Sequence, residues 1–378
     1  MSLIKNRLRF LLAIRGWHTN RKILVIESDD WGSIRMPSKE VYEKCLRKGY
    51  PVDQIAYEKY DSLASEEDLR LLFRLLLRYH DKNGRNPIIT ANCVVANPDF
   101  EKIYNDNFIK YHFELISDTF KKYPKHKDNL NIWHYGMREG VFYPQYHARE
   151  HLNVSLFLHD LRNGNKDALF GFDNRMPGCI SNTVHGLGNP YVDAMRFVSK
   201  EDKNEKLSYY LHGLELFEGL FGYKSETVIP PNYTWSNEFN DYIRNKGVIC
   251  LQGIRKLREP TPDGGYKFLS NYLGKITNEG LLFLVRNCFF EPSITHQRKS
   301  NPVKECLNDI KRAYLMHQPA IICSHRLNYV GFIDEHNRDR TLNMLEELLY
   351  SALKVWPDLE FMNSLELGHH ILVSSCNK

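Results

Sequence analysis

Apolar residues along this chain follow two rhythms. Residues 23–26, Ile-Leu-Val-Ile, are an unbroken apolar run, mostly β-branched. Such a run suits a strand buried on both faces, as in a parallel sheet covered by helices. Similar runs fall at 87–95, 227–229, 247–251, 281–285, 320–323 and 359–362, with a shorter one at 140–143. Between them the apolar spacing becomes helical. Ser65 with Asp68 makes a capping box, and Leu69, Leu72, Phe73 and Leu76 follow the i, i+3, i+4, i+7 pattern, with Gly84 as the expected stop. Residues 99–123 read as helical and aromatic. Residues 338–356 carry Leu342, Leu345, Leu349 and Leu353 on one face. Strands alternating with helices predict a parallel sheet or barrel.

The alternation lapses over residues 153–225. This region holds a Gly- and Asn-rich stretch at 186–190, then a helix with Leu207, Tyr210, Leu211, Leu214 and Phe217 on one face. It reads as an insertion within a single domain spanning 22–378. No internal repeat or low-complexity run appears.

Composition narrows the class without changing the layout. The 378 residues are 42% hydrophobic and 26% charged, the balance of a soluble globular chain, and the net charge of +5 is too small for a dedicated nucleic-acid binder. Lys5, Arg7, Arg9, Arg15, Arg21 and Lys22 precede the first acid, Glu27. Residues 10–14 are too short for the apolar core of a signal peptide, so residues 1–21 read as a basic amphipathic helix lying on the fold. No run is long enough to span a bilayer. The eight Cys are scattered, without a Cys-x-x-Cys pair, and a reducing cytoplasm is the expected compartment.

Three polar clusters follow predicted strands, where α/β folds collect their chemistry. The first is Asp29-Asp30, behind Glu27. Carboxylates packed so closely require a compensating positive charge, for which Arg138, Arg149 and Arg326 are the candidates. The second is His147 with His151, whose spacing of four places them on one face of a helix. The third is His325. Singly, each has a plain reading as a capping Asp, surface histidines or a structural histidine. Together, one Asp and two His are a complete set of protein ligands for a catalytic zinc-type site.

In order, these clusters resemble the motifs of the polysaccharide deacetylase family, the NodB-homology carbohydrate esterases. The matching islands are Ser28-Asp29-Asp30-Trp31-Gly32, His147-Ala148-Arg149-Glu150-His151 and Ile229-Pro230-Pro231-Asn232-Tyr233. Ile322-Cys323-Ser324-His325 and Phe361-Met362-Asn363-Ser364-Leu365-Glu366-Leu367 complete the series. The resemblance implies an α/β fold, a distorted (β/α)7-type barrel of parallel strands with helical insertions. It also implies a divalent metal, zinc being the expected ion, and removal of an N-acetyl group from a carbohydrate substrate. By position, Asp30, His147 and His151 would hold the metal, Asp29 would be the general base and His325 the general acid. Trp31, Asn232, Tyr233 and Trp235 are the expected substrate contacts, and the backbone N–H of Asn232 is a candidate oxyanion donor.

The sequence departs from the family pattern in three places. Ala148 replaces the Ser/Thr that would brace the second His, Ile229 stands where an Arg would support the catalytic Asp, and Asn232 stands where an aromatic usually sits. Two other function classes remain open on these residues: a different metal-dependent carbohydrate hydrolase or lyase on the same barrel, and a non-catalytic carbohydrate-binding relative.

Overall fold

The computed structural model describes residues 15–177, 189–295 and 300–376. Among the described residues the central sheet has nine strands, all paired in parallel. They are β1 (Lys22–Trp31), β2 (Ile89–Val94), β3 (Phe142–Ala148), β4 (Thr227–Val228), β5 (Cys250–Gly253), β6 (Leu282–Val285), β7 (Cys288–Phe289), β8 (Ala320–His325) and β9 (Leu359–Phe361). Their order is β6-β5-β4-β3-β2-β1-β8-β7, and β9 pairs the first residues of β1, Lys22 to Leu24, before β2 takes over at Ile26.

The two edges of this order belong to one stretch of chain. Only Arg286 and Asn287 separate β6 from β7. Arg286 N donates to Gly253 O on β5, and the next amide, Asn287 N, donates to Ile321 O on β8. Two residues reach about 7 Å at most, so the sheet must curl until its edges meet. The result is a distorted (β/α)7-type barrel whose seventh stave is the bent β6–β7 segment. The strand runs are buried on both faces, because helices cover the outside and side chains fill the inside.

Most elements lie where the apolar rhythm predicts them. The capping box at Ser65 and Asp68 opens the helix Glu66–Leu76, with Leu69, Leu72, Phe73 and Leu76 buried. That helix ends at Leu76, ahead of the expected stop, and Gly84 instead serves the left-handed position of the turn that follows. The single helix expected over 99–123 is interrupted: Phe100–Asn105 and Ile116–Lys122 flank a short strand, Phe113–Leu115, which pairs antiparallel with Ala96–Pro98. Of the basic helix expected over residues 1–21, residues 1–14 lie outside the described residues. Residues 15–21 form turns, with Arg21 gripping Glu360 and Trp17 Nε1 donating to Ser374 Oγ. The Gly- and Asn-rich stretch also falls largely outside them. A hairpin, Lys256–Pro260 with Tyr266–Ser270, is an element the sequence pattern did not announce. Among the described residues no helix is long and apolar enough to cross a membrane.

Candidate metal centre

β1 carries its chemistry at its C-terminal end, where the backbone departs from regular strand geometry. Successive side chains on a strand point to opposite faces, so adjacent aspartates would ordinarily diverge. Here the pairing of β1 with β2 shifts register between Ser28 and Trp31, and Asp30 adopts φ +74°. A bulge with a left-handed residue re-aims the chain, at a cost of about 1 kcal/mol or more for a non-glycine. The turn therefore sits at Asp30 itself. Gly32, at φ +83°, follows it.

His147 and His151 reach Asp30 by a route other than the expected helix. His147 lies on β3, and the next helix begins only at Val154, capped by Asn153. Leaving the strand, the chain gives up its Arg149 carbonyl to the amides of Val95 and Ala96. This tie bends the chain and returns His151 towards His147, with ring centroids 5.0 Å apart. His147 Nε2 stands 3.5 Å and His151 Nε2 3.3 Å from Asp30 Oδ1. All three residues are buried, and their ligand atoms lie within 4.8 Å of one another.

These residues fit a divalent ion. Donor atoms bonded at about 2.0–2.1 Å around a tetrahedral ion stand about 3.3 Å apart, close to the two separations from Asp30. His147 Nδ1–H donates to Ile229 O at 2.8 Å, which fixes the tautomer and leaves Nε2 as a lone pair towards Asp30. Ile229 thus contributes its carbonyl where the family would place an arginine. His147 Nε2 and His151 Nδ1 are buried without a hydrogen-bond partner. Burial pulls the His151 imidazolium down to a pKa of about 3 despite the nearby Asp30, so the ring is neutral and able to ligate. Burial opposes the charge on Asp30, but its surroundings, with the Arg35 guanidinium 3.7 Å away, hold its carboxyl well below the usual range.

Asp29 is held separately. Arg286 grips it with two hydrogen bonds, Nη2 to Oδ1 at 2.6 Å and Nη1 to Oδ2 at 2.7 Å, while its Nε donates to Glu27 Oε2 at 2.6 Å. Burial would raise the Asp29 pKa, but the guanidinium overrides it and holds the group at about 2. Asn92 Nδ2 adds a donor to Oδ1 at 2.8 Å. None of the three expected charge partners serves. Arg138 is exposed, Arg149 pairs with Glu150, and Arg326 forks onto Asp61. The sequence offered one signal for Arg286, its place directly after the apolar run 281–285, but nothing that pairs it with Asp29.

His325 lies across from this pair, its Nε2 3.6 Å from Asp29 Oδ2. Its Nδ1 faces Glu291 Oε1 at 2.5 Å, and the other Glu291 oxygen accepts from Asn328 Nδ2 at 2.7 Å. Burial disfavours the imidazolium, yet Glu291, Asp29 and Asp30 raise the pKa well above its ordinary value. Tyr57 sets its ring edge-on against His325 at 5.2 Å. Glu291 and Tyr57 were invisible from sequence, since neither belongs to a recognisable spacing.

The cleft at this end of the barrel encloses about 670 Å³, and Asp29, Asp30, His147, His151 and His325 all line it. Asn232 and Tyr233 line it as well, both with positive φ. The two tryptophans do not. Trp31 is 1% exposed, packed edge-on against Phe142 and stacked on Tyr329, with its Nε1 donating to Ser28 Oγ. Trp235 is 0% exposed and donates to Asn240. Both are core residues, and their expected role as substrate contacts is corrected. The bulge at Asp30 explains Trp31: both aspartates turn into the cleft, and the indole swings into the core.

No protein-family model matches this chain, and no curated protein matches it. Solved structures do. A 4-alpha-glucanotransferase from Thermococcus litoralis aligns over 92% of this chain and 40% of its own, at 10% identity and TM-score 0.44. The chain thus spans less than half the length of that enzyme. A probable polysaccharide deacetylase from Pseudomonas aeruginosa PAO1 aligns over 93% and 91%, at 9% identity and TM-score 0.47. Puue allantoinase aligns over 94% and 91%, at 8% identity and TM-score 0.47. At such identities the likeness concerns the fold alone.

Proposed function

We propose that this protein is a metal-dependent hydrolase that removes an N-acetyl group from a sugar or saccharide. The observation that carries the reading is the separation of tasks between adjacent aspartates. Asp30 faces His147 and His151, while Asp29 is locked by Arg286 opposite His325. Asp30, His147 and His151 would hold the ion, zinc being the best match to two imidazoles and one carboxylate. When bound, such an ion supplies a Lewis acid that lowers the pKa of water to about 7 and polarises the amide carbonyl.

The chain's own residues handle the protons. Asp29, kept as a carboxylate, accepts the proton of the attacking water. His325, kept protonated by Glu291, donates to the amine nitrogen as the C–N bond breaks. Acetic acid and the free amine leave, the acid giving its proton to solvent, and a proton passed from Asp29 to His325 across 3.6 Å restores both groups. The choice of an acetylated sugar rests on the five sequence islands that resemble the deacetylase family. The test is acetate release from an N-acetylated saccharide by the purified protein. It should fall to background with a chelator and return with added zinc. Metal-dependent cleavage of a glycosidic bond without acetate would instead assign another hydrolase.

A further inference from the structure

Beyond the metal centre, the cleft is walled by two pieces of chain latched to each other. One is the segment carrying Asp193 and Arg196. The other is the hairpin Lys256–Pro260/Tyr266–Ser270, carrying Arg258 and Tyr266. Tyr266 O–H donates to Asp193 Oδ2 at 2.6 Å, and Arg196 Nη2 donates to Gly264 O at 2.8 Å. Gly264 holds the hairpin turn at φ +80°, a position that suits glycine.

The latch leaves two polar atoms unused. Asp193 is 5% exposed, and its Oδ1 has no hydrogen-bond partner among the described residues. Arg196 Nε is likewise buried without a partner. Buried polar groups are rarely left so, because an unmade hydrogen bond is costly. Both residues line the cleft, so a ligand is the partner that would satisfy them. On these two pieces of wall, with Glu58 of the neighbouring helix set apart, the charges that line the cleft are unequal. The Arg196 and Arg258 guanidiniums approach the Tyr266 ring at 5.6 Å and 5.2 Å, against the single Asp193 carboxylate, one of whose oxygens is already taken. Guanidinium forks match carboxylate and phosphate oxygens.

We infer that this wall is a second saccharide subsite, taking a sugar unit that bears an oxyanion. Arg196 and Arg258 hold the oxyanion, and Asp193 Oδ1 accepts from a hydroxyl of the same unit. The inference rests on the deacetylase reading for the identity of the substrate. The cleft volume lies within the roughly 300–1,000 Å³ that encloses a whole multi-ring ligand, so a second unit has room. The oxyanion has two sources, a uronate carboxylate or a sugar phosphate.

The experiment uses the zinc-loaded full chain and three disaccharides. Each carries an N-acetylglucosamine unit, joined to glucose, glucuronate or glucose 6-phosphate. Binding is measured by calorimetry and acetate release is measured separately. At least one anionic disaccharide should bind tenfold or more tighter than the neutral one, and the tighter one identifies the source. Raising the salt should erase the difference in the unmodified protein. Arg196→Gln and Arg258→Gln should each bring the anionic ligand down towards the neutral affinity. Equal affinities for all three disaccharides, or an anionic preference that both variants retain, would overturn the subsite. Anionic preference without acetate release would support the subsite while removing the deacetylase reading, so the two failures are told apart.

Discussion

Arg286 reaches Asp29 from the seam where the two edges of the sheet meet, and in doing so closes the barrel electrostatically at the point where its backbone closes. The arginine sits on the two-residue link between β6 and β7 and ties two β1 carboxylates, Glu27 and Asp29, to that seam. A charge on a strand edge thereby takes up the role that the sequence resemblance assigned to the position of Ile229.

Removing that charge should be severe. Arg286→Met would leave two buried carboxylates uncompensated, a change worth about 3–5 kcal/mol. Chemical denaturation should show the loss directly. Arg286→Lys should recover little of it, because an ammonium cannot supply the paired hydrogen bonds to Asp29 together with the bond to Glu27. A denaturation midpoint unchanged in Arg286→Met would refute the account of the seam.

Trp31 tests the correction made at the end of β1. As a core residue stacked on Tyr329 and set against Phe142, Trp31→Phe should lower stability by about 1–3 kcal/mol and leave the KM for a saccharide unchanged. A raised KM at full stability would return the indole to the cleft.

His325 sets the pH dependence. Its folded pKa is raised by Glu291 and Asp29 against the effect of burial. A raised group keeps its proton to higher pH, so turnover should fall only as pH climbs through that raised value, above the ordinary 6.5. Its contribution to stability has the same sign: full below the ordinary value and lost as pH rises through the folded one. Glu291→Gln removes the principal raising charge, and the basic limb of a kcat profile should move to lower pH. A limb that stays in place would detach Glu291 from His325. Asp29, held at about 2, contributes stability that is full above its unfolded pKa and lost as pH falls from there through about 2, so it should impose no acidic limb near neutrality.

The sequence was most informative where one physical rule governed. Buried strands show as apolar runs, and the strand containing Ile23 to Ile26, the strand ending in His325 and the Ser65 capping box all follow from local pattern. Asp30, His147 and His151 could be grouped from sequence because ligand chemistry restricts residue type, and the structure brings the three together. The geometry that joins them was misread, since a spacing of four suits a helix and equally suits a strand end that doubles back. Trp31 was misplaced because a bulge inverts the alternation of facing, and no residue type announces a bulge. Arg286 and Glu291 come from parts of the chain remote from the motifs, and only the closure of the barrel brings them near.

The division of labour between the two aspartates is the centre of this account, and metal content measured alongside turnover tests it most directly. Asp30→Asn should lose the ion, because it removes the anionic ligand shared by the two histidines. Asp29→Asn should retain about one equivalent of metal while kcat falls roughly 10²–10⁴-fold, the usual worth of a positioned base. Loss of metal in Asp29→Asn, or full activity with metal retained, would contradict the assignment.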